Sequence, residues 1–376
     1  MVDTWLANQL FQNISSNTQV LIVGDAEQLP SVSPGQVLAD LLKVPQIPHI
    51  TLEKIFRQSQ DSTIVHLASS VRQGQLPADF REKKADRSYF EAQNEQIPAM
   101  IERIVSAAVK SGIPASEVQI LAPMYRGTAG IDHLNKLTQA LLNPKEEGEI
   151  EFAAQEQTFR QGDRVIHLVN DAESNVFNGD LGYITYLLPA KYSDSKQDEL
   201  TISFDGTEIT YPRNEWYKIT LAYAMSIHKS QGSEFQVVIL PITHSSQRML
   251  QRNLLYTAIT RSKSKLILLG QFTAFEQAVR HAGDRRKTYL IERFEPTITS
   301  TSEQNTVDSP EPAENESADT VAADEHTNST NNSSAETPKT ASDYILTESN
   351  LTQIDPMIGI RQEDITAIFG TESPVI

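Results

Sequence analysis

Two short apolar runs constrain the fold of this chain more than any other feature. Residues 237–242 (VVILPI) and 265–269 (KLILL) are almost continuously apolar, without the alternation of a half-exposed strand. Strands buried on both faces have this pattern, and they belong to parallel sheets that are covered by helices. The sequence therefore predicts an α/β fold built on a parallel sheet.

A polar segment precedes each of these runs. Residues 228–234 (HKSQGSE) form a polar turn in which Gly232 lets the backbone approach a ligand. Residues 253–261 (NLLYTAITR) have a helical pattern that ends in Arg261. A guanidinium at the edge of an α/β sheet suits the oxygens of a phosphate group. Each segment alone is as typical of a surface loop as of a ligand site, whereas the two in this order indicate phosphate chemistry.

A third apolar run, residues 20–23 (VLIV), predicts another buried strand near the start of the chain. Gly24 and Asp25 end this strand and place Gln28 beyond its carboxyl edge, where ligands bind in open α/β sheets. A side-chain amide there can donate to a phosphate oxygen and accept from water. We therefore expect Gln28 to sense a terminal phosphate; the alternative is an ordinary turn with a solvated glutamine.

Two later segments continue the α/β pattern. Residues 50–74 predict a strand, then Arg57 just outside its end, then a helix. Residues 118–123 predict a strand, and Tyr125 and Arg126 follow it. An aromatic face beside a cation suits single-stranded nucleic acid. The alternatives are a surface role for Arg57 and Arg126 and a structural role for the tyrosine.

Between about residues 145 and 219 the helical pattern gives way to strand-like pieces that are separated by turns. These pieces predict a small β-barrel, with strands at 164–169, 182–188, 199–204 and 208–211. Arg164, His167, Asn170 and Asn178 are candidates to follow a nucleic-acid strand, and a structural role is the alternative for each. Before the barrel, residues 81–98 are expected to form a polar surface excursion.

The charge of the chain is concentrated near its end. Residues 296–376 hold 15 acidic and 2 basic side chains, which leaves 34 acidic and 30 basic side chains in residues 1–295. The net charge of −17 therefore does not exclude a nucleic-acid partner for the first 295 residues. The chain has no cysteine, which excludes disulfides and thiolate metal sites, and it has no long apolar run or signal-peptide pattern. These features favour the cytoplasm and no membrane contact.

Taken together, the segments resemble the motifs of superfamily 1 DNA helicases, most closely those of the RecD-like group. GDAEQLPSVSPG resembles the third motif, with Ser33 where glycine is more usual, and HKSQG and TR resemble the fifth and sixth motifs. APMYRG and the run around Arg57 also resemble family motifs, and FRQGDRVIHLVND with NVFNGDLGYI resembles the SH3-like insertion of the group. The resemblance implies an ATP-driven motor that moves 5′ to 3′ on single-stranded DNA, in repair or recombination.

The resemblance also implies roles for individual residues. Arg57 and Arg261 would approach the γ-phosphate of ATP, and Gln28 and Gln231 would couple that phosphate to the grip on DNA. Glu234 would hold the ribose. The residues implied on the nucleotide side are Gln28, Arg57, Arg261, Asp25, Gln231, Gly232 and Glu234, and those implied on the DNA side are Tyr125, Arg126, Asn178, His228 and Ser230.

The phosphate loop and the acidic pair of such a motor are not found in this sequence. The family's acidic pair lies in a run resembling DEASMVDT, the chain begins MVDT, and no GxxxxGK[ST] loop follows. We therefore expect the chain to be the C-terminal portion of a longer enzyme, with the main ligands of ATP and Mg²⁺ upstream. The predicted division is 1–49 as the end of the first RecA-like motor domain, 50–145 and 220–295 as the second, 146–219 as the SH3-like barrel, 296–342 as a disordered acidic linker and 343–376 as a short apolar element.

Two other functions remain open at this point. The missing phosphate loop favours a non-catalytic DNA-binding or regulatory fragment. The barrel alternatively suggests an interaction protein that binds peptides, although its aromatic residues show no clustered groove pattern. The apolar element at the end of the chain either docks on a protein partner or on the motor, or is a weakly ordered terminus.

Overall fold

The computed structural model of this chain describes residues 2–52, 62–154, 156–283 and 286–294. The predictions for Arg57 and for residues 296–376 lie outside these ranges, and of the strand predicted just before Arg57 only residues 50–52 lie inside them. The helices are α1 (Thr4–Asn13), α2 (Val37–Leu41), α3 (Thr63–Arg72), α4 (Ile97–Lys110), α5 (Ile131–Leu142), α6 (Arg252–Ile259) and α7 (Phe272–Arg280).

The strands fall into two sheets and a hairpin. They are β1 (Arg87–Glu91), β2 (Val118–Ala122), β3 (Glu151–Ala154), β4 (Gln157–Arg160), β5 (Arg164–His167), β6 (Leu181–Leu188), β7 (Glu199–Phe204), β8 (Thr207–Pro212), β9 (Ile219–Leu221), β10 (Ala224–Ser226), β11 (Phe235–Ile242) and β12 (Ser262–Gly270). The first sheet has the order β1-β12-β11-β2-β10, and all its neighbouring strands are parallel.

Both faces of the parallel sheet are buried, as the apolar runs predicted. Val238 and Leu240 of β11 pack into one core, together with side chains of α3, α6 and α7. Val237 and Ile239 of the same strand point to the opposite face and pack with α4 and α5. Because successive residues of β11 supply opposite cores, the strand has to be apolar along its length. The predicted α/β fold with a parallel sheet is confirmed.

The second sheet is antiparallel, with the order β8-β7-β6-β5-β9, and the β3–β4 hairpin packs against it around a separate apolar core. Trp216 lies in this core and stacks on Phe152 with ring centroids 5.6 Å apart. The strands predicted for the barrel are present, shifted by no more than two residues at either end.

A buried carboxylate lies where the barrel meets the parallel sheet. Asp163, immediately before β5, accepts hydrogen bonds from Gln139 Nε2 (2.5 Å), Asn143 Nδ2 (2.8 Å), the Arg160 amide (2.7 Å) and Tyr223 Oη (2.9 Å). Gln139 belongs to α5, whereas Tyr223 lies between β9 of the barrel and β10 of the parallel sheet. The Asp163 network therefore ties the two sheets together.

Two predictions about secondary structure were wrong. Residues 20–23 form no strand, and the side chains of Leu21 and Val23 are 87% and 85% exposed. Their apolar sequence suits a buried strand, yet no neighbouring strand pairs with them in the described ranges. Residues 81–98 are not only a surface excursion, because β1 lies within them and pairs with β12 at the edge of the parallel sheet.

The Asp3 carboxylate caps helix α1 by accepting from the Leu6 amide at 2.7 Å. Its large apolar side chains nevertheless stay exposed; Trp5, for example, is 60% accessible. Over the residues described, every helix is too short or too polar to cross a lipid bilayer.

Candidate functional site

Helix α6 and the segment after it bring the predicted phosphate-side residues together. Tyr256 on α6 donates from its hydroxyl to Asp25 Oδ2 at 3.0 Å. Thr257, the next residue, accepts at Oγ1 from the Leu29 amide at 2.9 Å. The loop around Gln28 is thus attached to α6 on both sides of that glutamine.

Arg261 is buried, and main-chain and side-chain acceptors hold its guanidinium. Nε donates to the Thr257 carbonyl at 3.2 Å and Nη1 donates to the Ser233 carbonyl at 3.1 Å. Nη2 faces Gln28 Oε1 at 3.4 Å. Gln28 also donates from Nε2 to Asp25 at 3.1 Å, so its amide orientation is fixed from both ends. The geometry holds a cation and an amide side by side.

The HKSQG turn forms the third side of this site. Gln231 Nε2 donates to the Leu29 carbonyl at 2.8 Å, so this turn also grips the loop that carries Gln28. Gly232 is exposed with φ of +89°, a conformation that favours glycine. Glu234 is half-buried beside it. The turn follows the carboxyl end of β10, which is the edge where ligands bind in open α/β sheets.

Burial shifts the pKa of three side chains in this region. Burial lowers the pKa of the His228 imidazole, which is therefore neutral near pH 7, and it also lowers the pKa of Lys229. Burial and then the charge of Asp25 raise the pKa of Tyr256 to about 12. Tyr256 is consequently a permanent donor to Asp25 at neutral pH.

Tyr125 and Arg126 lie in the loop after β2, and both are exposed. Strand β2 is the parallel neighbour of β10, so this loop and the HKSQG turn emerge at the same edge of the sheet. His228 is partly exposed in that turn, whereas Ser230 is fully buried and donates to the Ile227 carbonyl at 2.8 Å. A DNA contact from the Ser230 hydroxyl would require the turn to change its conformation.

The barrel residues divide into buried and exposed ones. Arg164 and His167 are buried, so the expectation that they follow a nucleic-acid strand is wrong. Arg164 Nη1 instead donates to the Val118 carbonyl at 3.3 Å, and the Nδ1 atom of His167 lies 2.8 Å from the Val169 carbonyl oxygen. Asn178 is exposed, and its main-chain N–H donates to Asn170 Oδ1 at 3.0 Å.

Sequence reasoning missed the residues that hold the site together. Tyr256 and Thr257 lie in the helical run before Arg261, and their side chains carry no motif of their own. Arg286 also lies outside every motif, yet it makes several contacts to the loop that follows Gln28. Main-chain acceptors of this kind leave no pattern in a sequence.

The site fits a phosphate better than it fits a metal ion. Arg261, Gln28 and Gln231 offer a cation and amide groups, which bind phosphate oxygens. Over the part of the chain that the structure describes, no group of three His, Cys, Asp or Glu side chains is placed to hold a metal.

Three family models match parts of the chain. A UvrD-like helicase C-terminal domain matches residues 221–269, an ATP-dependent RecD-like DNA helicase SH3 domain matches residues 134–204, and an AAA domain matches residues 1–94. The contact between Gln28 and Arg261 therefore joins segments that two different family models recognise.

Curated relatives give the same similarity. An ATP-dependent RecD2 DNA helicase from Deinococcus radiodurans is 33% identical over 294 residues, which are 78% of this chain and 38% of that protein. A RecBCD enzyme subunit RecD from Mycolicibacterium smegmatis is 28% identical over 312 residues, which are 79% of this chain and 53% of that protein. The chain thus spans about half the length of these relatives, or less.

Among solved structures, Bacteroides Pif1 bound to ssDNA aligns with a TM-score of 0.38 and 18% sequence identity. The alignment covers 60% of this chain and 52% of that chain.

Proposed function

The chain belongs to the RecD-like group of superfamily 1 helicases, and from this premise we propose that it forms part of an ATP-dependent DNA helicase that moves along single-stranded DNA. We further propose 5′ to 3′ movement, a role in DNA repair or recombination, and a cytoplasmic location. Because the chain spans 38% and 53% of two such relatives, this activity is proposed for the whole helicase, to which the chain contributes the residues named below.

The observation that carries the proposal is that residues 28 and 29 meet two segments that lie more than 200 residues later in the chain. Arg261 donates to the Gln28 side chain, and Gln231 donates to the carbonyl of the adjacent Leu29. Such groups recognise a terminal phosphate and stabilise the charge that develops during phosphoryl transfer.

In this proposal ATP and Mg²⁺ supply the phosphoryl group and its charge neutralisation, and the chain supplies positioning. Arg261 places positive charge beside the terminal phosphate. Gln28 is linked to Arg261 on one side and to Asp25 on the other, so it can report the presence of that phosphate to α6. Gln231 grips the Leu29 carbonyl and links the same loop to the DNA-side turn.

The DNA side is proposed to run along the carboxyl edge of β2 and β10. Tyr125 offers an exposed ring for base stacking, and Arg126 offers an exposed cation for a phosphate. His228 is neutral near pH 7 because its partial burial lowers the pKa of the imidazole, and it therefore acts as a hydrogen-bonding group rather than as a charge. Asn178 in the barrel is proposed to extend this track.

A binding titration of the 376-residue chain tests the DNA-side proposal. Fluorescence anisotropy would compare labelled oligo-dT with a labelled proline-rich peptide over a series of salt concentrations. We expect weak, salt-sensitive binding of oligo-dT, and we expect Arg126→Ala to reduce the slope of log K against log salt by about 1.

Arg103→Ala is the matched control, because Arg103 is an exposed arginine on α4, away from the carboxyl edge of β2. It should leave the salt slope unchanged. Peptide binding without DNA binding would contradict the helicase proposal and favour an interaction module. If Arg126→Ala and Arg103→Ala change the salt slope equally, Arg126 is not part of the proposed DNA-binding edge.

A further inference from the structure

A turn beyond Gln28 directs its main-chain oxygens at one cation. Arg286 Nη1 donates to the carbonyls of Ser33 and Gly35, both at 2.7 Å, and Nη2 donates to the carbonyl of Ser31 at 2.7 Å. Three carbonyl oxygens from five consecutive residues thus converge on one guanidinium. Ser31 is buried, and its hydroxyl reinforces the turn by donating to the Ser33 carbonyl at 2.9 Å.

The turn is also held from the opposite side. The Thr4 amide donates to the Pro34 carbonyl at 3.1 Å. Gly35 has φ of +109°, and a Cβ atom there would lie 2.0 Å from Thr4 Oγ1. No side chain fits at Gly35 without moving Thr4. The turn is therefore enclosed between α1 and Arg286.

The other end of the same loop carries Gln28. Gln28 faces Arg261, and Leu29 is bonded to Thr257 and Gln231, so the loop is attached to the parallel-sheet unit at its beginning. Arg286 follows α7 at the far end of that unit and attaches the loop again only a few residues later. The contacts at Asp25 and Leu29 hold the loop on both sides of Gln28, and Arg286 holds the continuation of the loop at residues 31–35.

We propose that Arg286 is a positioning residue, which sets where Gln28 meets Arg261 by holding the carbonyls of Ser31, Ser33 and Gly35. The catalytic meaning of this contact rests on the proposed helicase function, whereas the positioning itself does not. The planar fork of arginine can serve several carbonyls at once, which a lysine ammonium on a flexible stem does less well.

Hydrogen exchange of the 376-residue chain tests the positioning directly. The Leu29 amide, which is bonded to Thr257 Oγ1, reports on the loop. We expect Arg286→Ala to speed its exchange about tenfold or more, on the scale of losing one charge-assisted hydrogen bond. Arg286→Lys should give a smaller effect, and amides of β2 and β11 should stay unchanged.

Lys287→Ala is the matched control, because Lys287 is the neighbouring residue, exposed and of equal charge. It should leave the Leu29 exchange rate unchanged. If the Leu29 amide exchanges at the same rate in Arg286→Ala and in Lys287→Ala, the positioning role is refuted. Uniformly faster exchange in all strands would also refute it, since Arg286 would then stabilise the whole fold.

Steady-state kinetics of the whole helicase separate the positioning from the proposed function. We expect Arg286→Ala to lower kcat of the DNA-stimulated ATPase while leaving KM for ATP unchanged, and Arg286→Lys to restore part of kcat. Faster exchange at Leu29 with unchanged kcat would overturn the link from Arg286 to the Gln28–Arg261 contact. A wild-type enzyme without DNA-stimulated turnover would contradict the proposed function, and the exchange result alone would then decide the positioning.

Discussion

Replacing Asp163 with asparagine should loosen the connection between the barrel and the parallel sheet. The change keeps the shape of the side chain but removes one acceptor oxygen and adds two N–H donors. Four donors converge on this carboxylate, from Gln139, Asn143, Arg160 and Tyr223. The single carbonyl oxygen of the new amide can accept from about two of them, and the other two would face an NH₂ group.

The size of the effect follows from those two lost hydrogen bonds. A buried donor without an acceptor costs about 1–3 kcal/mol, so the two together cost about 2–6 kcal/mol. Removing a buried charge offsets part of this cost. We therefore expect Asp163→Asn to lower the free energy of unfolding by about 2–4 kcal/mol.

Urea unfolding that is followed by Trp216 fluorescence measures this loss. Trp216 is buried in the barrel core and donates from Nε1 to the Tyr211 carbonyl at 2.9 Å. The second tryptophan, Trp5, is exposed and can be replaced by phenylalanine in every variant so that the signal reports the barrel. Asp194→Asn is the control, because Asp194 is an exposed acid of the same barrel.

The pH dependence of the free energy of unfolding tests the role of Asp163 independently. Burial raises the pKa of the Asp163 carboxyl and outweighs the four donors, so the folded state holds this proton more tightly than the unfolded state. Wild type should therefore gain stability relative to Asp163→Asn as the pH falls towards the ordinary aspartate pKa of 3.8. A loss equal to that of Asp194→Asn, or a pH difference of the opposite sign, would refute the reasoning about this network.

Three further predictions concern the motor and the tail. In the whole helicase, Arg261→Ala should leave nucleotide binding largely intact and slow single-turnover hydrolysis by about 10³ to 10⁵, as arginine fingers do; unchanged hydrolysis would rule out a phosphate role for Arg261. The 376-residue chain alone has no GxxxxGK[ST] loop, so a coupled phosphate-release assay should detect no DNA-stimulated ATPase, and robust turnover would contradict the expectation that the main ATP ligands lie elsewhere. Ending the chain at Pro296 should leave the thermal melting of residues 1–295 unchanged within error, whereas a lower melting temperature would mean that the tail supports the fold.

The parallel sheet was predictable because its strands are buried on both faces. Strands β11 and β12 supply apolar side chains to two cores, which requires apolar residues along their length. Residues 20–23 have the same composition, yet they are exposed in this chain. An apolar run indicates that a segment is suited to burial, but it does not indicate which other segment will pack against that run.

The site was predictable where a motif marked it and not where main-chain atoms hold it. Gln28, Gln231 and Arg261 were expected at one place; Gln28 is bonded to Arg261, and Gln231 is bonded to Leu29, the residue after Gln28. Arg286 escaped detection because its partners are carbonyl oxygens, which every residue carries. Ser230 shows the converse, since a motif residue can be buried and bonded to its own turn.

The short passage from β9 to β10 connects the barrel closely to the HKSQG turn. Only Ala222 and Tyr223 separate the last barrel strand from β10, and the HKSQG turn begins two residues after β10 ends. Tyr223 lies at a bend in this passage, and its hydroxyl is anchored by Asp163. We expect a load on the barrel, such as a strand being pulled past it, to reach the Gln231 turn through these few residues. The barrel would then pass a mechanical load to the turn that carries Gln231, in addition to its proposed contact with DNA.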